Sequence, residues 1–474
     1  MSAAAVLPEV TATYISPKPA PPLTDTVVLY GAMFLLGFCP LAFGAVEPWA
    51  IFVLESVMAV LFVIWLVGQM RAPTLKLLWT PVFTPMLTFA GVILIQLLPG
   101  ISAYRYATYS RLLLYVSYGL CGFLITQTFT RRRQLRVVAT ALGTYGTAVA
   151  IFAILQSLSS PGKLYWIRIP RFGGWIYGPY VNHNHYAGLM EMLVPVPLIF
   201  SFSRYAHGRE RWIGASAAAL MAATIFLSGS RGGMVAFAVQ MAIFVWLFFR
   251  ESRQKGLAFL LGAFLVIALA MVAGTGGSEV SARILSSTTD RRVEIANDTR
   301  LRIDRDTMRM FAKRPLLGWG MGSFEDVYPQ FRSFYTNFLI DKAHNDYLQL
   351  LAEAGMVGFA CAIWFLAASL RTAWRNIHKW TSEINASVAA VAVLGISGIL
   401  VHSLVDFNLQ IPANALLFYS LCAVAAMGPR FADHRGNRRH RQPAASDPLI
   451  DLSSPDMVRQ EDFISRSEAL SETP

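Results

Sequence analysis

Charge is scarce in this sequence. Only 14% of its 474 residues are Asp, Glu, Lys or Arg, against about 25% in soluble proteins, which excludes an ordinary soluble enzyme. Cysteine is scarcer still. Cys39, Cys121, Cys361 and Cys422 stand singly in four apolar stretches with no CxxC pair, which argues against a disulfide framework or a zinc site. The first 25 residues, rich in Ala, Pro and Thr, lack the charged leader and cleavage site of a signal peptide. The first apolar span is therefore expected to remain as an anchor. The internal repeat that many transporters carry is also missing.

Apolar sequence is what the chain has in quantity. Hydrophobic residues make up 55%, the mean hydropathy is +0.47, and the runs approach the roughly 20 residues that span a bilayer. The pattern predicts an all-α polytopic membrane protein with about twelve transmembrane helices. They lie near 26–46, 49–69, 77–98, 111–129, 137–158, 184–203, 213–228, 234–249, 256–274, 347–370, 385–405 and 411–428. One long extracytoplasmic loop, residues 275–346, separates spans nine and ten and is too long for a mere connection. Residues 1–25 are expected to be a disordered cytoplasmic segment and 26–428 the transmembrane domain. Residues 429–474 are expected to be a disordered cytoplasmic tail, whose basic start at Arg430, Arg435, Arg438, Arg439 and Arg441 suits anionic headgroups.

Loop charge selects the orientation. With both termini inside, five cytoplasmic loops carry 15 Lys and Arg against 5 on the short outer loops, as the positive-inside rule requires. The net charge of +12 is then largely a topology signal, and nucleic acid is not an expected partner.

Four polar groups gather at the outer rim. In LSGSRGGMVAF, Arg231 sits at a glycine-rich turn between two spans, where a planar guanidinium suits bidentate contact with phosphate oxygens or snorkels to the interface. In KAHNDYLQLLAEAGMVGF, His344 precedes a helix for which Asp346 is the expected N-cap and Gln349 its capping-box partner. Asp346, Gln349 and Glu353 then share one helical stripe, and an intramembrane Glu353 is a functional candidate by default. His344 is either a general base, for which imidazole is suited near neutral pH, or a surface histidine bonded to the cap. In VHSLVDFNLQIPAN, His402 and Asp406 are four apart on one helical face, placed to orient a catalytic group or a sugar, or to bond between helices. In GPYVNHNHYAG, His183 and His185 diverge on a helix, which disfavours a shared metal and leaves glycan contacts as plausible.

In the long loop, Arg300 to Lys313 reads as a helix with Arg302, Arg305 and Arg309 on one face and Leu301, Met308 and Phe311 along another side. Asp304 and Asp306 spell DxD, but on a helix their carboxylates diverge. The aromatic stretch Phe324, Tyr328, Phe331, Phe334, Tyr335 and Phe338 has the composition of an interfacial segment.

These residues resemble the O-antigen ligase and polymerase family, membrane glycosyltransferases that use polyprenyl-diphosphate-linked glycans. The resemblance runs from about 170 to 425 and rests on LSGSRGGMVAF, TRLRIDRDTMRMFAKRPLLGWGMGSF, AHNDYLQLLAEAGMVGF and VHSLVDFNLQIPANALLF, in that order around one long loop. It implies a helical bundle capped by an outer loop in the bacterial cytoplasmic (inner) membrane. It implies Arg231 and a loop-helix arginine as diphosphate contacts, and His344 as the base that activates the acceptor hydroxyl. Arg300 best matches the loop position, with Arg302 and Arg305 close by. Asn345, Asp346, Glu353, His183, His185, His402 and Asp406 are the remaining candidate substrate contacts. The donor is then a polyprenyl-diphosphate-linked glycan, and the acceptor a glycan, lipid A core or protein hydroxyl. No metal or other cofactor is expected, because the diphosphate is already an activated leaving group. A transporter or flippase of lipid-linked glycan is the rival reading, which the missing repeat and the rim placement of the polar groups disfavour.

The orientation is testable. With single cysteines introduced by Asp290→Cys and Arg435→Cys, an impermeant thiol reagent applied to intact cells should label 290 and leave 435 untouched. Labelling at 435 alone would reverse the topology.

Overall fold

The computed structural model describes residues 22–74, 76–160, 162–170, 175–251, 297–336, 339–429, 431 and 449–451. Apolar runs become the helices α1 (Leu23–Leu41), α2 (Pro48–Met70), α3 (Phe83–Gln96), α4 (Arg105–Thr128) and α5 (Arg132–Ser159), with Pro40 and Pro85 tolerated in the last turn of α1 and the first turn of α3. Pro195 and Pro197 then break one apolar run into α6 (His183–Leu193) and α7 (Pro195–Phe202), because proline lacks the N–H that continues a helix. They are followed by α8 (Arg209–Leu227) and α9 (Arg231–Glu251). The helix of the long polar segment is α10 (Asn297–Lys313), and α11 (Asp346–Asn376), α12 (Ile384–His402) and α13 (Pro412–Ala425) complete the bundle. Two three-residue strands, β1 (Lys76–Leu78) and β2 (Leu449–Asp451), pair antiparallel.

Among the described residues, seven of the twelve expected segments are helices long and apolar enough to cross a membrane: α1, α2, α5, the α6–α7 pair, α9, α11 and α12. This is the pattern of a multi-pass membrane protein. Helices α3 and α13 are apolar but shorter, at 14 residues each. Helices α4 and α8 occupy their expected places without reaching the same standard. The segment expected at 256–274 lies outside the described residues, as does the first part of the long loop. All four cysteines are buried and unbridged.

The α6–α7 pair is the centre of the bundle, with 94% of its span buried. Small residues admit it: a side chain at Gly188 would collide with Asn408, and one at Gly233 would meet Ala187 and Glu191. Helices α8, α9, α12 and α13 enclose it through one continuous core that includes Tyr186, Met190, Ile225, Phe237, Phe244 and Ile396. Helices α1, α2 and α4 pack around a second core with Leu35, Leu54, Met58 and Leu124.

The polar segment between α10 and α11 is welded to the bundle. Helix α11 is interrupted at Gly355 (φ 65°, ψ −169°), a conformation essentially restricted to glycine. The backbone groups freed by this break are taken up by the loop. Met356 N–H donates to Pro315 O (2.7 Å), and Trp319 and Gly320 N–H donate to Ala352 and Glu353 O (3.0 and 2.9 Å). The Gln96 side chain from α3 bridges Leu317 O and Glu353 O at 2.6 and 2.8 Å. Glu353 closes the joint, accepting N–H donors from Gly322 (2.9 Å), Phe324 (3.2 Å) and the Gln349 side chain (3.1 Å).

Leu301 and Met308 are 57% and 43% exposed; the side of α10 that turns inward carries Ile303, Asp306, Thr307 and Met310. The aromatic stretch builds a local core: Phe324 and Tyr328 are buried with Ile303, Met310 and Ala352, and of its described members Tyr335 alone is widely exposed. Phe338 lies outside the described residues. Buried Asp306 fixes this core, accepting from Arg309 (3.0 Å), Ser333 N–H (2.9 Å) and Ser333 Oγ (3.0 Å), so both carboxylate oxygens are satisfied inside the cap.

Gly355→Ala should cost about 1–3 kcal/mol, because alanine disfavours this conformation and its methyl would strike the Leu316 carbonyl. A fall in the thermal unfolding midpoint of purified protein in detergent would show it, and an unchanged midpoint would show that the break does not depend on glycine.

Candidate functional site

Four chain segments meet where the cap rests on the bundle. The loop 403–410 between α12 and α13 supplies Asp406 and Phe407, the N-terminus of α6 supplies His185, the approach to α11 supplies His344, and α10 supplies Arg300. Asp406 is the common point. Its Oδ1 lies 3.7 Å from His344 Nδ1 and 3.9 Å from His185 Nε2 and accepts the Phe407 N–H at 2.8 Å. Both imidazoles stand edge-on to the Phe407 ring, with centroids 4.7 and 4.8 Å away, so one aromatic side chain sets the tilt of two histidines. His344 is held in the left-handed region at φ 55°, a conformation costly for a non-glycine residue and concentrated at functional sites.

Both arginines singled out in the sequence border the same loop. Arg300 donates from Nη1 to Val405 O at 3.1 Å. Arg231 is exposed at the first residue of α9, and a Cβ on the adjoining Gly232 would lie 2.8 Å from both His402 Cδ2 and Val405 Cγ2. Only glycine permits this approach of α9 to the 402–405 segment. Arg302 and Arg305 are exposed, and Arg302 projects about 200° from Arg300 on a 3.6-residue helix. Arg300 is therefore the loop-helix arginine at the cluster.

The electrostatics separate two carboxyls. Burial alone would raise Asp406, but the adjacent His344 imidazole and the charges of His185 and Arg300 outweigh it and hold the carboxyl well below its ordinary range. Asp304, one turn after Arg300 and half-buried, is pushed up by burial to about 6, with His344 and Arg300 acting in the opposite sense. Arg300 Nε, His344 Nδ1, His185 Nε2 and Asp406 Oδ2 are buried without hydrogen-bond partners among the described residues. Buried polar atoms are ordinarily paired, so four such atoms in one place make this cluster the candidate site for a polar ligand.

The other candidates are engaged in holding the fold. Asn345, and not Asp346, is the N-cap of α11, its Oδ1 accepting from Tyr347 and Leu348 N–H at 3.1 and 3.2 Å. Asp346 ties α11 to the neighbouring loop: its N–H donates to Ser403 O at 3.0 Å and its Oδ2 accepts from Leu409 N–H at 2.9 Å. Gln349 accepts from Ala343 N–H at 3.1 Å instead of closing a capping box on Asp346. Glu353 is spent on the cap. His183 stacks on Trp175 with centroids 4.6 Å apart, a different partner from that of His185. His402 and Asp406 do not pair, because α12 ends at His402 and Asp406 lies in the loop beyond; His402 Nδ1 instead meets Glu191 Oε1 at 2.8 Å. Sequence reading passed over Glu191 and Ser230, although a glutamate inside an apolar span was the available signal. Among the described residues no group of three or more His, Cys, Asp or Glu is placed to hold a metal ion.

The raised Asp304 carboxyl has a consequence for stability. A folded value near 6 above an unfolded value near 4 makes the ionised form a cost to the folded state. That cost is absent below about pH 4 and fully present above about pH 6. Asp304→Asn should therefore raise the unfolding midpoint relative to wild type more at pH 7 than near pH 4. An offset that does not change with pH would show that Asp304 titrates normally.

Comparison with known proteins agrees with the motifs. No curated protein matches the chain. Residues 216–363 match the model of the family described as O-antigen ligase, a stretch that contains Arg231, α10, His344 and Glu353 and stops short of Asp406. From α8 into α11, the chain is thus similar to the O-antigen ligase family.

Proposed function

We propose that the protein transfers a glycan from a polyprenyl-diphosphate carrier to an acceptor hydroxyl on the outer side of the bacterial cytoplasmic membrane, with both termini in the cytoplasm. The observation that carries the reading is the meeting of His344, Arg300 and Asp406 beside the turn that bears Arg231, in a chain with an O-antigen ligase domain.

The chemistry follows from that arrangement. Arg231 and Arg300 bind the diphosphate and neutralise the charge that builds on it as the bond from the anomeric carbon to the phosphate oxygen breaks. The electron pair leaves with the polyprenyl diphosphate. Asp406 faces His344 Nδ1, which leaves Nε2 as the atom that takes the acceptor proton, and the carboxylate stabilises the imidazolium so formed. The acceptor oxygen attacks from the opposite face, so the anomeric centre inverts. The arginines supply the positive charge that a divalent cation provides in other phosphate-transfer sites, so the reaction runs without metal. His185, beside Asp406, is available to the glycan, and Arg302 and Arg305 are exposed on other faces of α10.

The test is transfer from a polyprenyl-diphosphate glycan to acceptor by purified protein in detergent. Activity should survive excess EDTA and be absent with a nucleotide sugar as the only donor. His344→Ala should lose about 10² to 10⁴ in rate, and Arg231→Lys should retain more activity than Arg231→Ala while remaining below wild type, since an ammonium lacks the planar fork. Loss with EDTA that Mg²⁺ restores would overturn the arginine mechanism, and turnover of the nucleotide sugar would overturn the donor assignment.

A further inference from the structure

Inside the bundle lies a second polar chain. Glu191 is on α6, His402 ends α12 and Ser230 immediately precedes α9, and all three are 0% exposed. His402 Nδ1 is 2.8 Å from Glu191 Oε1, His402 Nε2 is 3.4 Å from Ser230 Oγ, and Ser230 Oγ accepts the Gly233 N–H at 3.1 Å. Gly233 N–H donates to the Ser230 oxygen, and a neutral His402 that donates Nδ1–H to the Glu191 carboxylate has Nε2 free to accept the Ser230 O–H.

Carboxylate, imidazole and hydroxyl in this order are the parts of a serine nucleophile. Complete burial of Ser230 and His402 excludes that role, because no substrate reaches the hydroxyl. What the chain does touch is the first turn of α9. Ser230 is bonded to Arg231, its hydroxyl caps the turn through Gly233, and the face that Gly232 leaves open is filled by the His402 ring. A glutamate kept inside an apolar span is costly, and here it anchors a histidine to the turn that presents Arg231.

We propose that Glu191, His402 and Ser230 are positioning residues that fix the first turn of α9 and thereby aim Arg231 at the diphosphate of the lipid-linked donor. The proposal rests on the reading of Arg231 as a diphosphate contact. It assigns the chain to donor recognition: loosening the turn lowers donor affinity and leaves the acceptor, handled by His344 on another segment, unaffected.

The experiment is a double-mutant cycle on the purified full-length protein, with undecaprenyl diphosphate binding and donor and acceptor KM as readouts. Ser230→Ala should weaken undecaprenyl diphosphate binding and raise donor KM about five- to tenfold, the worth of one hydrogen bond, with acceptor KM unchanged. In an Arg231→Lys background the same substitution should cost less than about twofold, because coupled residues are not additive. Glu191→Gln, which keeps the volume and removes the charge, should shift donor affinity in the same direction and lose its effect in that background too. Equal losses in both backgrounds, or parallel losses in donor and acceptor KM, would overturn the positioning role while leaving the diphosphate reading intact. Wild-type binding of undecaprenyl diphosphate no tighter than that of Arg231→Ala would overturn the diphosphate reading, and the positioning role with it.

Discussion

The joint between Glu353 and the cap is the interaction on which the site depends. A break in a membrane helix frees backbone groups that lipid cannot satisfy, and in α11 the break at Gly355 is filled by residues 315–320 of the preceding loop. Glu353 fastens the next residues by taking the Gly322 and Phe324 amides. This bonding fixes where α10 lies, and α10 carries Arg300. It also fixes the path into α11, which carries His344. Without the joint, two of the residues around Asp406 would belong to a cap of undetermined position.

The cluster itself follows a simple electrostatic plan. One buried carboxylate is shared by two imidazoles and reached by the field of an arginine, and Phe407 holds both rings. Asp304 sits in the same neighbourhood with the opposite tendency, its ionised form disfavoured by burial. Two carboxyls in one neighbourhood are thus shifted in opposite directions from their ordinary range. The flanking polar residues, Asn345, Asp346 and Gln349, spend their bonds on backbone groups, which makes the left-handed turn at His344 a supported feature.

Two polar systems therefore serve the rim from different directions. One lies at the cap and faces the candidate ligand; the other, Glu191 with His402 and Ser230, lies within the bundle and ends at Arg231. They meet at the 402–406 segment, where His402 belongs to the second and Asp406 to the first. Residues four apart in the sequence divide between them because α12 stops at His402, and the chain turns before Asp406.

Much was legible in the sequence. Scarce charge and long apolar runs specify a helical membrane protein, since each depends on local composition alone. The glycine-flanked Arg231, the loop-helix arginines and His344 stood out because charge and imidazole are conspicuous against an apolar background, and the order of their motifs identified the family domain. What the sequence could not determine was pairing. Helical spacing joined His402 to Asp406 and made Asp346 the cap, whereas packing gave His402 to Glu191, Asp406 to His344 and His185, and the cap to Asn345. The aromatic run had the composition of an interfacial segment, yet Asp306 and the inward side of α10 supplied a local core for it. Glu191 and His402 are 211 residues apart, and no periodicity within one helix reports which residue of another will face it. That choice depends on how helices cross and where small residues let them approach, and only the tertiary structure decides it.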